Sequence, residues 1–264
     1  MGRDILHIKN ISKSYFNNST HNNYVLENIS LIVETNSITS LIGGNGAGKT
    51  TLFNVISRFT EPDDTTRAKI MYKNENLLTL KPHQLGKRGI ARIFQGTHTF
   101  ESLSVLENMI IAQSDYSSES PFKSSFSNFN STEKYKKELA MGILNGLFDK
   151  NSIFNTHPNT LAKNLSFGQK RLLSLACLMM GNSDLILMDE PTAGINAQLV
   201  EKIRELLLLL KTKGKTIFLI EHNIPFVSSI SDTVYFLWNN KIHLSGNAET
   251  VLNNKEVRKN YLGI

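Results

Sequence analysis

The length and composition of the chain indicate a globular protein with a substantial buried core. It has 264 residues, of which 40% are hydrophobic and 20% charged, and its formal net charge is +6. Its apolar runs, such as Leu206–Leu210, are far shorter than the roughly 18 residues of a membrane-spanning helix. The single cysteine, Cys177, excludes an internal disulfide. The positive charge permits an anionic ligand, but no lysine-rich block indicates a nucleic-acid partner.

The first elements predicted along the chain are short strands. Apolar and polar residues alternate in Ile5–Ile8, Lys13–Phe16 and Val25–Val33, and the polar run Asn17–Asn23 is typical of a hairpin loop. The apolar segment Ser37–Ile42 predicts a further, buried strand.

A phosphate-binding loop is predicted directly after that strand. Gly43 is followed, after four residues, by Gly48-Lys49-Thr50, which is the P-loop spacing. Glycines allow backbone N–H groups to point at phosphate oxygens, and a helix beginning near Lys49 favours the same anion. Lys49 would add a positive charge at the β- and γ-phosphates, and the Thr50 hydroxyl would bind Mg²⁺. The alternative is a glycine-rich turn without a ligand.

The predicted ligands of the nucleoside triphosphate in this loop are consecutive. They are Gly43, Gly44, Asn45, Gly46, Ala47, Gly48, Lys49, Thr50 and Thr51.

The middle of the chain predicts two strands and two helices. The strands are Ala68–Tyr72 and Gly89–Phe94, and the helices are Leu103–Gln113 and Glu133–Leu147. Between the helices, Ser114–Thr132 contains eight serines and few aliphatic residues, which favours a flexible loop, with a phosphorylated regulatory segment as the alternative.

A second anion site is predicted where the next helix begins. Ser166, Phe167, Gly168 and Gln169 place a serine N-cap and a glycine ahead of the apolar pattern of Lys170–Met180. Ordinary helix capping is the alternative for such a pattern.

A pair of carboxylates follows the buried strand predicted at Asp184–Met188. Asp189 would hold Mg²⁺ opposite Thr50, and Glu190 would orient the attacking water and accept its proton. The alternative is a solvated strand end.

The last predicted elements complete an alternation of strands and helices. Helix Ala197–Lys213 ends at Gly214, and strand Thr216–Ile220 leads into Glu221 and His222. Such alternation is typical of a mostly parallel sheet.

Taken in order, these motifs resemble those of the nucleotide-binding subunit of an ATP-binding cassette (ABC) transporter. They are Gly43–Thr50, Gln95, Leu165–Gln169, Leu187–Glu190 and His222. Three further segments are similar to the high-affinity branched-chain amino-acid importer ATPases and their relatives: residues 89–95, 220–222 and 257–263.

The resemblance implies roles for residues that spacing alone does not assign. Tyr15 would stack on adenine, Gln95 would reach the metal and the attacking water, and His222 would contact the γ-phosphate. The implied catalytic residues are Lys49, Gln95, Glu190 and His222. The implied metal ligands are Thr50, Gln95 and Asp189.

The chain departs from the family pattern at three places. Gly44 stands where proline is usual, and Phe167 replaces the third residue of the signature Leu165–Gln169, a position that commonly varies in this branch. Asn196 occupies the loop after the carboxylates where many members have aspartate, and Ala197 follows it where the importer branch often has proline. None of these departures removes a catalytic group.

The resemblance also implies a fold: a P-loop α/β core, an antiparallel β lobe near the N-terminus and an inserted helical lobe. We expect a single ABC ATPase domain with its core at about residues 1–95 and 181–240. The helical lobe would cover about 96–180, and a C-terminal extension 241–264.

The same resemblance implies partners. One chain carries one P-loop and one signature, so a second ATPase subunit, identical or paralogous, would complete each ATP site. Membrane permease subunits and a separate solute-binding protein are also implied. The chain would then lie peripherally on the cytoplasmic face of the inner membrane.

Three functions follow from this resemblance. The first is an ATPase that drives import of branched-chain or other amino acids, or of a related small polar solute such as urea. The second is an ABC ATPase with another cargo, notably lipopolysaccharide export. The third, a DNA-repair clamp or ribosome-bound factor, is disfavoured, because the chain has neither a second cassette nor a long coiled-coil insertion.

Overall fold

The computed structural model describes residues 4–15, 24–94, 96, 99–113 and 129–263, without the side chains of 129–132, 260 and 262. The chain divides into two compact units. The first comprises Met1–Gln95, Asp184–Gly194 and Leu207–Ile264, and the second comprises Gly96–Ser183 and Ile195–Leu206.

Ten strands are described, and they belong to two sheets. They are β1 Asp4–Ser14, β2 Tyr24–Glu34, β3 Ile38–Ile42, β4 Lys69–Tyr72, β5 Glu75–Asn76, β6 Ile90–Ile93, β7 Leu185–Asp189, β8 Thr216–Ile220, β9 Thr233–Trp238 and β10 Lys241–Gly246.

The described helices alternate with the later strands. They are α1 Lys49–Ile56, α2 Pro82–Lys87, α3 Val105–Ala112, α4 Phe129–Leu147, α5 Ile153–Thr156, α6 Phe167–Met180, α7 Ala197–Thr212, α8 Ile224–Ile230, α9 Ala248–Leu252 and α10 Lys255–Val257. Two 3₁₀ turns at Leu77–Thr79 and Ala162–Asn164 and a π-helical turn at Arg258–Leu262 complete the set.

The antiparallel sheet has the order β2-β1-β4-β5 and corrects the first strand prediction. Ile5–Ile8 and Lys13–Phe16 were predicted as separate strands, but β1 is one strand that ends at Ser14. Shifts of register against β2 at Ile8/Ile11 and Ile11/Lys13 allow the strand to continue, with Asn10 in the left-handed conformation. The predicted hairpin loop at 17–23 lies outside the described residues.

The six-stranded sheet has the order β10-β9-β3-β8-β7-β6. Every neighbouring pair is parallel except β9 with β10, so the sheet is mostly parallel, as predicted. The carboxyl ends of β3, β8 and β7 therefore meet at one edge, where α/β sheets bind ligands. Those ends lead into Gly43, Glu221 and Glu190.

The core of the first unit joins both of its sheets to the helix that follows the P-loop. Phe53 of α1 and Phe218 of β8 are fully buried, and their ring centroids lie 4.9 Å apart. All five residues of β8 are buried, and Ile217–Ile220 form a continuous apolar run rather than an alternating pattern, as is typical of a strand covered on both faces. This packing fixes α1 against the sheet beneath the loop.

Helix boundaries in the second unit differ slightly from prediction. Helix α4 begins at Phe129 rather than Glu133, so the last four residues of the predicted Ser114–Thr132 loop are helical, and 114–128 lie outside the described residues. Helix α6 begins at Phe167 because Ser166 caps it. Within the described parts of the chain, no helix is long and apolar enough to cross a bilayer.

Phe218→Ala should lower the free energy of unfolding by about 3–5 kcal/mol, because it opens a cavity under α1 in a close-packed core. Urea unfolding of both proteins measures the difference. Tyr135→Ala, on an exposed position of α4, is the matched surface truncation and should change stability by about 0.5 kcal/mol or less. Equal effects of the two substitutions would contradict the packing described above.

Candidate functional site

The P-loop adopts a conformation that glycine makes possible. Gly46 and Gly48 have φ values of 75° and 100°, which other residues rarely adopt. A Cβ atom at Gly48 would lie only 2.5 Å from the carbonyl oxygen of Val25. The loop then enters α1 at Lys49, which places the positive end of the helix dipole at the loop.

Lys49, the first residue of α1, is hydrogen-bonded to the beginning of the loop. The residue is 7% exposed, and its Nζ donates to the carbonyl oxygens of Gly43 at 2.7 Å and Gly44 at 2.8 Å. Burial lowers the pKa of Lys49, while the charges of Glu190 and Asp189 act in the opposite direction. A cation is thus held beside backbone N–H groups, which is the requirement for binding phosphate.

A cavity of about 210 Å³ lies over this loop and belongs wholly to the first unit. It is lined by Val25, Asn45, Gly46, Ala47, Gly48, Lys49, Thr50, Thr51 and Glu190. The structure therefore brings seven of the nine predicted loop ligands together with the predicted general base.

Asp189 and Thr50 form an oxygen-rich pair at the same place. The Asp189 carboxylate is buried and is hydrogen-bonded to the Thr50 side chain, and its Oδ1 has no hydrogen-bond partner among the described residues. Burial raises the pKa of Asp189, and the Thr50 hydrogen bond and the charge of Arg92 oppose that rise. An unpartnered carboxylate oxygen next to a hydroxyl fits a hard divalent cation such as Mg²⁺.

Glu190 has an unusual backbone conformation for a glutamate. It follows β7 with φ of 49°, in the left-handed region, and its N–H donates to the Ile220 carbonyl oxygen at 3.0 Å. His222 Nδ1 lies 3.7 Å from Glu190 Oε1, and the histidine side chain is 55% exposed. The structure thus places the predicted base and the predicted γ-phosphate contact side by side at the mouth of the loop.

Three other predicted site residues belong to the first unit: Tyr15, Gln95 and Gly44. Tyr15 follows β1, is 50% exposed, and has Lys13 Nζ at 5.6 Å from its ring centroid, so its ring is accessible to a flat ligand. Gln95 lies outside the described residues, and its metal and catalytic roles stay a prediction. Gly44 leaves room for a Cβ atom, which would contact the Trp238 ring at an ordinary 3.5 Å.

The signature residues belong to the second unit, where they form a capping box. Gln169 N–H donates to Ser166 Oγ at 3.3 Å, and Ser166 N–H donates to Gln169 Oε1 at 2.8 Å. A Cβ atom at Gly168 would lie 2.1 Å from Leu199 Cδ1, so packing within this unit itself favours glycine there. Ser166 and Phe167 remain exposed.

Two residues at the site were missed in the sequence. The Arg92 side chain of β6 is 6% exposed, and its guanidinium lies 4.0 Å from Asp189 Oδ2 and 4.3 Å from the ring centroid of Phe94. Glu221 is fully buried at the end of β8. The available signal was similar in both cases: a charged residue within or directly after an otherwise apolar strand.

Comparison with known proteins identifies the family. Residues 26–193 match the family described as ABC transporter. A probable branched-chain amino acid transport ATP-binding protein, LivG, of Archaeoglobus fulgidus is 34% identical over 98% of this chain and 95% of its own length. The high-affinity LivG protein of Escherichia coli strain K12 is 32% identical over 90% and 91%. The chain belongs to the ABC transporter family, as an ATP-binding subunit.

Solved structures agree with this assignment. A nucleotide-free ATP-binding cassette from an ABC transporter superposes with a TM-score of 0.78 at 32% identity, covering 99% of this chain and all of the other. A cassette solved in its ADP conformation gives 0.78 at 30% identity, with the same coverage. The predicted P-loop ABC ATPase fold, with its antiparallel β lobe, is confirmed.

Lys49→Ala should abolish ATP binding, because it removes the buried cation of the P-loop cavity. The only tryptophan, Trp238, lies against Gly44, so its fluorescence during ATP titration measures binding. Lys69→Ala, on an exposed position of β4, is the control and should bind like the wild type. A folded Lys49→Ala protein with an ATP affinity within a few-fold of wild type would show that Lys49 does not hold the phosphates.

Proposed function

We propose that the protein hydrolyses ATP at the P-loop cavity and supplies the energy for transport. The observation that carries this proposal is the convergence of Lys49, Asp189, Glu190 and His222 at one edge of the parallel sheet. A cradle for phosphate, an oxygen pair for a divalent cation and a carboxylate near the place of water attack are the parts that phosphoryl transfer to water needs.

Each residue has a distinct role in this proposal. Thr50 and Asp189, together with Gln95, would hold Mg²⁺, which supplies charge neutralisation at the β- and γ-phosphates when bound. Glu190 accepts the proton of the attacking water. His222 donates a hydrogen bond to the γ-phosphate, and Tyr15 stacks on the adenine.

The nucleotide site is proposed to be shared between two ATPase subunits. Ser166, Phe167, Gly168 and Gln169 form a helix start whose serine and phenylalanine are exposed, and helix starts attract anions. The chain carries one such motif and one P-loop. A second subunit, identical or paralogous, would therefore contribute its signature to this P-loop and receive this signature at its own.

The proposed cargo is a branched-chain amino acid, another amino acid or a related small polar solute. The names of the relatives in Archaeoglobus fulgidus and Escherichia coli support amino-acid transport. The subunit would lie on the cytoplasmic face of the inner membrane, bound to permease subunits that work with a solute-binding protein. Two permease genes and a binding-protein gene beside this one would support import, and lipopolysaccharide-export genes there would contradict it.

Glu190→Gln should keep ATP affinity within a few-fold while lowering hydrolysis by roughly 10²–10⁴, the usual contribution of a positioned general base. The amide preserves shape but cannot accept the proton. Phosphate release under saturating ATP and Mg²⁺ measures turnover, and Trp238 fluorescence measures binding. Wild-type turnover in this variant would assign the base to another residue.

The shared site is tested with a matched pair at Ser166. Ser166→Asp and Ser166→Asn both retain a good N-cap for α6, but only the aspartate adds a negative charge facing the partner's γ-phosphate. We expect Ser166→Asp to bind ATP as a monomer yet fail to dimerise and hydrolyse, whereas Ser166→Asn loses much less activity.

Mixing experiments complete this test. Ser166→Asp and Lys49→Ala are each inactive alone, but a mixed dimer contains one intact P-loop opposite one intact signature and should recover part of the activity. If the natural partner is a paralogue, the same substitutions are divided between the two subunits. No recovery in any folded, dimerising mixture would argue against a shared site.

A further inference from the structure

The most unusual buried group outside the proposed catalytic set is the carboxylate of Glu221. It follows the apolar strand β8, lies one residue before His222, and is 0% exposed. Acidic side chains are almost never fully buried unless their oxygens are satisfied by partners. The surroundings of Glu221 therefore require an explanation.

Four hydrogen bonds surround the two carboxylate oxygens. Oε1 accepts from the backbone N–H of Thr192 at 2.8 Å and from the Thr192 hydroxyl at 2.6 Å. Oε2 accepts from the backbone N–H of His222 at 3.0 Å and of Asn223 at 3.2 Å. A carboxylate with four donors and no competing acceptor is well suited to holding two backbone segments together.

The two oxygens divide their partners between two different loops. Thr192 lies two residues after Glu190, in the turn that the Ala193 N–H closes onto the Glu190 carbonyl oxygen at 3.2 Å. His222 and Asn223 begin the loop that presents the histidine ring to Glu190. Glu221 thus joins the loop of the proposed base to the loop of the proposed γ-phosphate contact.

The sheet alone does not determine this geometry. The backbone bond from Glu190 N–H to Ile220 ties the start of one loop to β8, and the Glu221 N–H donates to Leu41 of β3 at 3.3 Å. Beyond these points the parallel ladder ends, and within the described residues the Glu221 side chain makes the polar links between Thr192 and the His222 loop. Past the end of the ladder, the two loops are therefore linked through a side chain.

We propose that Glu221 is a positioning residue for ATP hydrolysis: its buried carboxylate joins Thr192 to the backbone of His222 and Asn223 and so sets the placement of the His222 ring relative to Glu190. This inference rests on the proposed function. It assigns Glu221 no contact with nucleotide, so ATP binding is not part of its role.

Glu221→Gln is the isosteric test. The amide keeps one accepting oxygen but presents N–H groups to two of the four donors, so one of the two loops is released. Misplacement of a reacting group by about 1 Å can cost about 10²-fold in rate. We expect ATP affinity, measured by Trp238 fluorescence, to stay within about threefold, and kcat to fall by about 10- to 100-fold.

A double-mutant cycle separates positioning from a general structural role. If Glu221 acts through His222, then Glu221→Gln combined with His222→Ala should be hardly slower than His222→Ala alone. Losses that multiply in the double variant would overturn the inference, as would a folded Glu221→Gln protein with kcat within twofold of wild type.

A second pair of variants covers the case in which Glu221→Gln does not fold. Thr192→Val removes only the hydroxyl donor to Oε1, and Thr192→Ser retains it. We expect the valine variant to lose several-fold in kcat with unchanged ATP affinity, and the serine variant to recover most of that loss. Equal kcat for the two variants would overturn the inference.

Amide hydrogen exchange makes the test independent of hydrolysis. Loss of the hydrogen bonds to the Glu221 carboxylate should speed exchange of the Thr192, His222 and Asn223 amides in Glu221→Gln, while exchange within β7 and β8 stays the same. If Glu221→Gln does not fold, the same measurement is made on Thr192→Val. If the wild type does not hydrolyse ATP, the proposed function fails and this measurement alone decides whether Glu221 joins the loops. Unchanged exchange at all three amides would overturn the inference.

Discussion

The parallel pairing of β3, β8 and β7 is the constraint on which the nucleotide site depends. Leu41 and Asp189 are both register partners of Ile220, one on each side of β8. Because parallel strands end at the same edge, a single register brings the P-loop, the carboxylate turn and the His222 loop together. Residues more than 140 positions apart in the chain thereby line one small cavity without any local sequence signal for their proximity.

Four charged side chains at that edge of the sheet are buried, so neighbouring protein groups rather than water stabilise their charges. Lys49 and Arg92 supply buried positive charge, and Asp189 and Glu221 supply buried negative charge. Lys49 donates to carbonyl oxygens, and Glu221 accepts from four donors. The Arg92 guanidinium lies over the Phe94 ring and donates to Ser57. Of the two carboxylates, Glu221 has both oxygens hydrogen-bonded, whereas Asp189 keeps Oδ1 without a partner among the described residues, and that oxygen can accept a cation.

Features encoded by a few consecutive residues could be predicted from the sequence, whereas features that depend on contacts between distant segments could not. The P-loop, the Ser166 cap and the strand before Asp189 are encoded within a few residues, so their patterns predicted them. Two other features depend on distant parts of the chain, so no local pattern predicted them. The continuity of β1 depends on bulges against β2, and the hydrogen bonds between Glu221 and Thr192, 29 residues apart, depend on the register of the sheet. Gly168 illustrates a partial success: the motif located the glycine, but its packing against Leu199 comes from another helix.

The left-handed backbone of Glu190 connects these observations. A non-glycine residue in that region costs on the order of 1–3 kcal/mol and persists only where its surroundings determine it. Here the Glu190 N–H is held by Ile220, the turn after it is closed by Ala193, and Glu221 fixes Thr192 beyond. These hydrogen bonds are each worth about 1 kcal/mol net, and those to the carboxylate more, so together they offset the strain. The direction of the Glu190 side chain is therefore set by a network anchored in β8, and any change that loosens the network allows the backbone to relax away from the orientation that faces the P-loop.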